Sequence, residues 1–109
     1  MPKGNQAEAA LAMQCLADGL PPFEQEYVFC ATRKFRLDIA FPAQKVGLEI
    51  CGGVWKGHAH SSPLMIERDM EKANLLVVMG WKVLRYQPKS VMNGEAIEGL
   101  KSLLVRTIK

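Results

Sequence analysis

Two carboxylates stand in the middle of two short apolar runs. Asp38 lies in FRLDIAF and Glu49 lies in VGLEIC, with Pro42–Lys45 between the two runs. A connection of that length predicts an antiparallel hairpin in which Phe41 opposes Val46. The same register places Asp38 directly opposite Glu49, with their Cβ atoms roughly 5 Å apart. The two acids are therefore expected to lie side by side.

Opposed carboxylates repel each other, so something has to offset the repulsion. A shared proton, a cation from the chain or a bound metal ion would do so. The simplest alternative is that Arg36 neutralises one of the acids on an exposed face of the sheet. A hard divalent cation such as Mg²⁺ instead uses one or two carboxylates and leaves other positions to water and phosphate oxygens. That arrangement suits phosphodiester hydrolysis, in which a metal ion activates water and stabilises charge on the phosphate.

The period-two alternation of strands sorts the side chains of the two runs into two faces. The apolar face is predicted to contain six large side chains: Leu37, Ile39, Phe41, Val46, Leu48 and Ile50. Asp38 and Glu49 then share the other face with small residues such as Ala40 and Gly47. The pattern predicts a core on one side of the hairpin and two acids with open space above them on the other.

Turn residues and helix caps around the hairpin predict the order α-β-β-β-α-β-α. The first predicted element is a helix that an Asn5–Glu8 capping box opens and Gly19 ends. Three strands are predicted next, at Phe23–Phe29, Phe35–Phe41 and Val46–Cys51. They are followed by a helix from Ser62-Pro63 through Leu64 to Met79, a strand at Trp81–Tyr86 and a helix from Asn93 or Gly94 to Ile108. In the second helix, an apolar stripe is expected to face the core: Ile66, Met70, Ala73 and Val77.

The composition indicates one folded α/β domain over residues 1–109, with 49% hydrophobic residues and no run long enough to span a membrane. Cys15, Cys30 and Cys51 form no CxxC pair, and the N-terminus has no hydrophobic signal core, so we expect a reduced, cytoplasmic protein. The net charge of +3 permits nucleic acid as a partner without requiring it.

Four segments in order, RKFRLDIAFP, GLEICGGVWKGHAH, DMEKANLL and GWKVLRY, resemble the PD-(D/E)XK restriction-endonuclease-like family. The resemblance is closer to small phage and bacterial nucleases related to the very short patch repair endonucleases. It covers Glu24 to Met92 and implies a mixed central sheet flanked by helices. It also implies Mg²⁺- or Mn²⁺-dependent cleavage of DNA.

By this resemblance, Asp38 and Glu49 match the metal ligands of the family. The backbone carbonyl of Ile50 would be a third ligand, and an acid from the first helix would complete the site. Glu8 is the candidate for that acid. Capping of the first helix is an equally supported role for the same residue. Glu26 matches a family glutamate and is a candidate for supporting the ligands.

The chain departs from the family pattern at Cys51, which stands where the E-x-K motif has its lysine. A cysteine supplies no hard cation at neutral pH, so we interpret Cys51 as a small buried hydrophobe. The missing positive charge has to come from another position. Lys72, in the following helix, is the first candidate and Lys56, in the loop, is the second; a solvated surface lysine is the alternative for Lys72.

The loop GGVWKGHAHSS supplies further candidates. His60 is predicted to contact phosphate or to assist proton transfer, with a surface histidine as the alternative. Two histidines two residues apart are weak zinc ligands without paired cysteines. Trp55 is expected either to contact DNA bases or to cover the core. Basic residues on both sides of the acids are predicted to contact DNA phosphates, with a solvated face as the alternative: Arg33, Lys34, Arg36 and Arg68.

The sequence therefore predicts a metal-dependent DNA endonuclease in which Asp38 and Glu49 hold Mg²⁺ or Mn²⁺ and Lys72, Lys56 or His60 assist. Two alternatives stay open. One is a DNA-binding module on the same fold that has lost catalysis, which Cys51 favours. The other is a resolvase of branched DNA, which would act as a homodimer.

Overall fold

A computed structural model describes residues 3–51 and 63–108 of the chain. The elements, in chain order, are α1 (Lys3–Ala17), β1 (Glu24–Cys30), β2 (Phe35–Phe41), β3 (Val46–Ile50), α2 (Pro63–Val78), β4 (Lys82–Tyr86), α3 (Pro88–Met92) and α4 (Glu95–Ile108). The predicted order is confirmed except at the C-terminus, where two helices replace one. Pro88 at the first position of α3 is the signal for this extra helix, because proline is favoured there.

The four strands form one mixed sheet in the order β1-β2-β3-β4. The first three strands are antiparallel, and β4 runs parallel to β3. The predicted hairpin register is confirmed, since Phe41 pairs with Val46 and Ile39 pairs with Leu48. The paired ladder ends at Ile39 and Leu48. Asp38 and Glu49 therefore lie one position beyond the last pair, where the strands separate.

Helices cover both faces of the sheet, which gives an α/β domain with two apolar clusters. On one face, α1, α3 and α4 pack over side chains of the hairpin: Ile39, Phe41, Val46 and Leu48. On the other face, Leu76 of α2 packs with a second group of buried side chains: Phe29, Phe35, Leu37, Ala40 and Trp81. In the described ranges, no helix has the length and apolar character needed to cross a membrane.

The prediction that Leu37 shares a face with Ile39 and Phe41 is wrong. Leu37 packs in the cluster under α2, and its Cδ1 lies 2.6 Å from the position that a Cβ on Gly47 would take. Glu26 and Asp38 are both skipped in the pairing of β1 with β2, and Glu26 has a left-handed φ of 51°. This irregularity breaks the alternation, because the faces of a strand exchange where a residue leaves the ladder.

The prediction that the apolar stripe of α2 faces the core is also wrong. Ile66, Met70 and Val77 are 47%, 60% and 74% exposed, whereas Leu76 is buried. Another side of the helix faces the sheet instead. There Leu76 packs in the apolar cluster and Lys72 contacts the carboxylate of Glu49. Periodicity identifies an apolar stripe but does not identify the surface that the stripe meets.

The capping role predicted for Asn5 and Glu8 is wrong as well. Helix α1 begins at Lys3, so Asn5 lies inside the helix and does not precede it. Glu8 is only 6% exposed, and its carboxylate faces strand β1. The helix therefore directs this acid towards the sheet, and the ligand role of Glu8 remains a proposal.

Candidate active site

Asp38 occupies the point at which β2 and β3 separate. Its Oδ2 accepts the backbone N–H of Ile50 at 2.7 Å. The next amide, that of Cys51, donates to the carbonyl oxygen of Tyr86 on β4 at 2.8 Å. Because amides alternate in direction along a strand, the Ile50 N–H points towards β2, where Asp38 takes the place of a backbone acceptor. Burial raises the pKa of Asp38, although this hydrogen bond acts in the opposite direction.

Two further acids converge on Asp38. Glu8 of α1, Glu26 of β1 and Asp38 of β2 each place one carboxylate oxygen within 4.8 Å of the others. Burial, with a hydrogen bond between Glu8 and Glu26, raises the pKa of Glu8 to about 7. Gln25 Nε2 donates to Glu8 Oε2 at 3.1 Å and holds this carboxylate in place. The acidic trio therefore holds a proton near neutral pH when no cation is bound.

Arg36 belongs to the rim of the acidic trio. Its Nε lies 3.4 Å from Glu26 Oε1, and both side chains are substantially exposed. The interpretation that Arg36 neutralises Asp38 or Glu49 is therefore wrong, because its carboxylate partner is Glu26.

The oxygen-only donors of the trio fit a hard cation such as Mg²⁺ or Mn²⁺, and a divalent charge would relieve their mutual repulsion.

Glu49 lies outside the trio and contacts a lysine. Lys72 Nζ of α2 lies 2.7 Å from Glu49 Oε2, and the two side chains are only 19% and 15% exposed. Within the described residues, this buried oxygen accepts no hydrogen bond of good geometry, so the contact is an ion pair whose alignment is poor. Helix α2 thus brings a cation to the second acid of the hairpin.

Cys51 supplies no charge to this region. The thiol is half-buried beside Glu49, and burial together with the Glu49 charge raises its pKa. The thiol therefore stays protonated at neutral pH. Within the described part of the site, Lys72 is the cation that contacts Glu49.

The basic residues predicted to contact phosphates fall into two groups. Arg33 pairs with Glu71, and Arg68 donates to the carbonyl oxygen of Arg33 at 3.1 Å. Both guanidinium groups also lie over the ring of Phe35, so they hold α2 against the β1–β2 turn. Lys34 and Arg36 are exposed. Three further candidates, Trp55, Lys56 and His60, lie outside the described residues.

Two residues near the acids were not identified from the sequence. Gln25 reaches Glu8 across two elements, and no local pattern in a strand signals such a contact. Arg85 pairs in register with Glu49 across the parallel strands, so the two side chains point to the same face. The GWKVLRY segment contains Arg85, but the parallel pairing that places it beside Glu49 depends on the whole sheet.

Comparison with known proteins identifies no relative. No family model matches the chain, and no curated protein or solved structure is significantly similar to it. A functional interpretation therefore depends on the residues of this chain and on their geometry.

Proposed function

We propose that this chain is a metal-dependent endonuclease of the restriction-endonuclease-like fold that hydrolyses DNA phosphodiester bonds. The observation that carries the proposal is the 2.7 Å contact between Lys72 and Glu49. The sequence lacks a lysine where the E-x-K motif needs one, and a lysine from α2 reaches the glutamate of that motif. An acid–acid–lysine arrangement at the end of a hairpin suits phosphodiester hydrolysis.

Glu8, Glu26 and Asp38, whose carboxylate oxygens converge, are the acids that would hold Mg²⁺ or Mn²⁺. Glu49 and the carbonyl oxygen of Ile50 are proposed as further ligands from the hairpin. The metal ion would supply an activated water and charge stabilisation at the phosphate. The fit is supported by the all-oxygen donor set. Burial and the neighbouring acids raise the pKa values of Asp38 and Glu8, and a divalent cation would offset that repulsion. Gln25 orients Glu8 by its hydrogen bond.

Lys72 would act on the phosphate itself. Its ammonium group contributes positive charge at the position where negative charge develops on the nonbridging oxygens. The pair with Glu49 keeps the lysine oriented before the substrate arrives. Lys56 and His60 remain proposed as assisting groups of the same site.

DNA would approach from the side of the exposed basic residues. Lys34 is exposed, and Arg36 is exposed beside the acidic trio, where it pairs with Glu26, so both side chains could reach phosphates. Arg33 and Arg68 instead hold α2 against the sheet. Phosphate contacts of this kind give binding without sequence preference and a strong dependence on salt. Trp55 remains proposed as a contact to bases.

The proposal is tested with supercoiled plasmid, in Mg²⁺ and separately in Mn²⁺. Wild-type protein is expected to nick or linearise the plasmid, while Asp38→Asn and Lys72→Met lower the rate by about a hundredfold or more. Lys89→Met, which removes an exposed lysine of α3, is the matched control and is expected to keep the wild-type rate. Absence of cleavage by wild-type protein with either ion would overturn the proposal.

A second candidate function is DNA binding without cleavage, and Cys51 in the place of the motif lysine favours it. The same preparations decide between the two in a gel-shift experiment. DNA retention without cutting would establish the binding module. Preferential cutting of four-way junctions over plasmid would instead point to a resolvase of branched DNA.

A further inference from the structure

The charges of the candidate active site leave a phosphate in need of one more cation. One divalent ion does not neutralise the three carboxylates of the acidic trio, and the pair of Lys72 with Glu49 is itself neutral. Cys51 adds no charge at neutral pH, because its thiol stays protonated. A DNA phosphate that enters the site therefore meets residual negative charge unless a further cation lies beside it.

Arg85 of β4 lies on the side of the sheet where this charge is missing. It pairs in register with Glu49 of the neighbouring parallel strand, so the two side chains project to the same face. That face is the one that α2 covers, since Lys72 of α2 contacts Glu49 there. Neighbouring strands lie roughly 4.8 Å apart, so Arg85 starts directly beside the glutamate of the candidate site.

A groove between α2 and β4 accommodates the Arg85 side chain. Five apolar residues of the two elements and of the turn between them line it together with Arg85: Ala73, Leu76, Val77, Trp81 and Val83. Apolar walls suit the methylene stem of an arginine while its guanidinium group stays in water. Arg85 is exposed, so its guanidinium group is accessible to a ligand.

The guanidinium group of Arg85 keeps its hydrogen-bond donors available. Within residues 3–51 and 63–108, Arg85 forms no ion pair, and its side chain donates no hydrogen bond. Arg33 differs, because it pairs with Glu71, and Arg36 pairs with Glu26. Arg85 can therefore bind an anion without first breaking a contact.

The charge of Arg85 also reaches the place where the E-x-K motif has its lysine. Burial and the charge of Glu49 raise the pKa of the Cys51 thiol, and Arg85 acts on the same thiol in the opposite direction. Asp38 and Asp69 add to the effect of Glu49. Arg85 thus supplies positive charge to acidic surroundings in which Cys51 supplies none.

We propose that Arg85 is the second cation of the candidate active site and that its guanidinium group binds a DNA phosphate at the position left by the motif lysine. This inference rests on the proposed nuclease function. A guanidinium group presents paired N–H donors that match two nonbridging phosphate oxygens. The two cations approach the phosphate from different elements, Lys72 from α2 and Arg85 from β4.

DNA binding without cleavage tests the contact. Fluorescence anisotropy with a labelled duplex, in Ca²⁺ and over a range of salt concentrations, measures the dissociation constant. Arg85→Met is expected to weaken binding by about tenfold and to reduce the salt slope by about one, because one phosphate contact is lost. Lys82→Met removes an exposed lysine from the same strand and should bind like wild type. Wild-type affinity and slope for Arg85→Met, or no binding by wild-type protein, would overturn the proposal.

Moving the charge tests its position. Arg85→Met should lower the rate of plasmid cleavage by about a hundredfold, and adding Cys51→Lys should recover about tenfold, since a lysine then stands in the motif. Cys51→Ala combined with Arg85→Met is the matched control and should recover nothing. Urea unfolding establishes that each variant is folded. A folded Cys51→Lys double variant that cleaves no faster than Arg85→Met would contradict the proposed position.

The two proposals can fail separately in these experiments. If wild-type protein binds DNA through Arg85 but cuts plasmid with neither Mg²⁺ nor Mn²⁺, the nuclease function is wrong and the phosphate contact stands. If wild-type protein and Arg85→Met cut equally fast, the nuclease function stands and the role of Arg85 is wrong.

Discussion

Lys72 and Glu49 form an ion pair between α2 and β3 that is largely removed from water, with Nζ 2.7 Å from Oε2. No local sequence pattern connects these two residues. Desolvation makes each charge costly without its partner, so the pair both couples the helix to the sheet and orients a cation beside the acidic end of the hairpin.

Breaking this pair on one side is expected to destabilise the fold. Glu49→Gln or Lys72→Met alone should lower the free energy of unfolding by about 3 to 5 kcal/mol, because each leaves a buried charge without its partner. The double variant should recover most of the loss. Urea unfolding measures the free energy of unfolding of all three variants. Lys101→Met, which breaks an exposed contact to Asp18, is the control and should change the free energy of unfolding far less, because exposed ion pairs contribute little. A double variant as unstable as the sum of the singles would contradict the prediction.

Asp38 should protect one specific amide from exchange. Its carboxylate accepts the Ile50 N–H, so Asp38→Ala is expected to increase the hydrogen exchange rate of Ile50 by about tenfold or more. The Cys51 amide donates to Tyr86 and serves as the internal control, since its exchange should stay slow. NMR measures the exchange rates of both amides. Equal acceleration of exchange at the two amides would instead indicate general loosening of β3.

The raised pKa of Glu8 predicts a pH dependence of stability. The pKa is about 7 in the folded protein against an ordinary 4.5, so the folded state binds this proton more tightly. The resulting stabilisation is fully present below about pH 4.5 and is lost as the pH rises through about 7. Glu8→Gln mimics the neutral acid, and it should therefore be more stable than wild type at about pH 8 and similar to it at about pH 4.5.

Urea midpoints at the two pH values, with a chelator present, measure this difference. The control is Glu24→Gln, which removes an exposed acid from the same strand as Glu26 and should follow wild type at both pH values. If Glu8→Gln showed the wild-type decline in stability between the two pH values, Glu8 would not be the group responsible.

Gly99 of α4 is predicted to be required for packing against the sheet. A Cβ at this position would meet the hydroxyl oxygen of Tyr86 and would lie 3.1 Å from its Cζ, so Gly99→Ala should destabilise the protein by about 1 to 3 kcal/mol. Adding Tyr86→Phe removes the closest atom and should recover part of that loss. Thermal unfolding measures the variants. Ser102→Ala, at an exposed position of α4, is the control, and an equal effect there would contradict a specific clash.

Several parts of the structure were predictable because they depend on neighbours along the chain. The strands, the four-residue turn and the register of Phe41 with Val46 follow from local alternation and turn length. The start of α2 at Pro63 follows from the preference of proline for the first helical position. The same register brings Asp38 and Glu49 to the same end of the hairpin.

The contacts that define the candidate site could not be predicted from the sequence. The sequence placed Asp38 opposite Glu49, whereas the structure joins Asp38 to Glu8 and Glu26 and joins Glu49 to Lys72. The ladder stops one residue short of the acids, and the left-handed Glu26 redirects β1 beside them. Those are effects of packing between elements, and no spacing along a strand encodes them.

The sequence by itself determined the element order apart from α3, the hairpin and the presence of an apolar stripe on α2, because hydrophobic periodicity and turn chemistry act over a few residues. Only the tertiary structure decided that α2 turns Leu76 and Lys72 to the sheet and leaves Met70 exposed. The physical reason is that a helix orients by the sum of its contacts with other elements. Here the apolar sheet surface that contains Phe35, Leu37 and Trp81, together with the charge of Glu49, outweighs the more regular stripe.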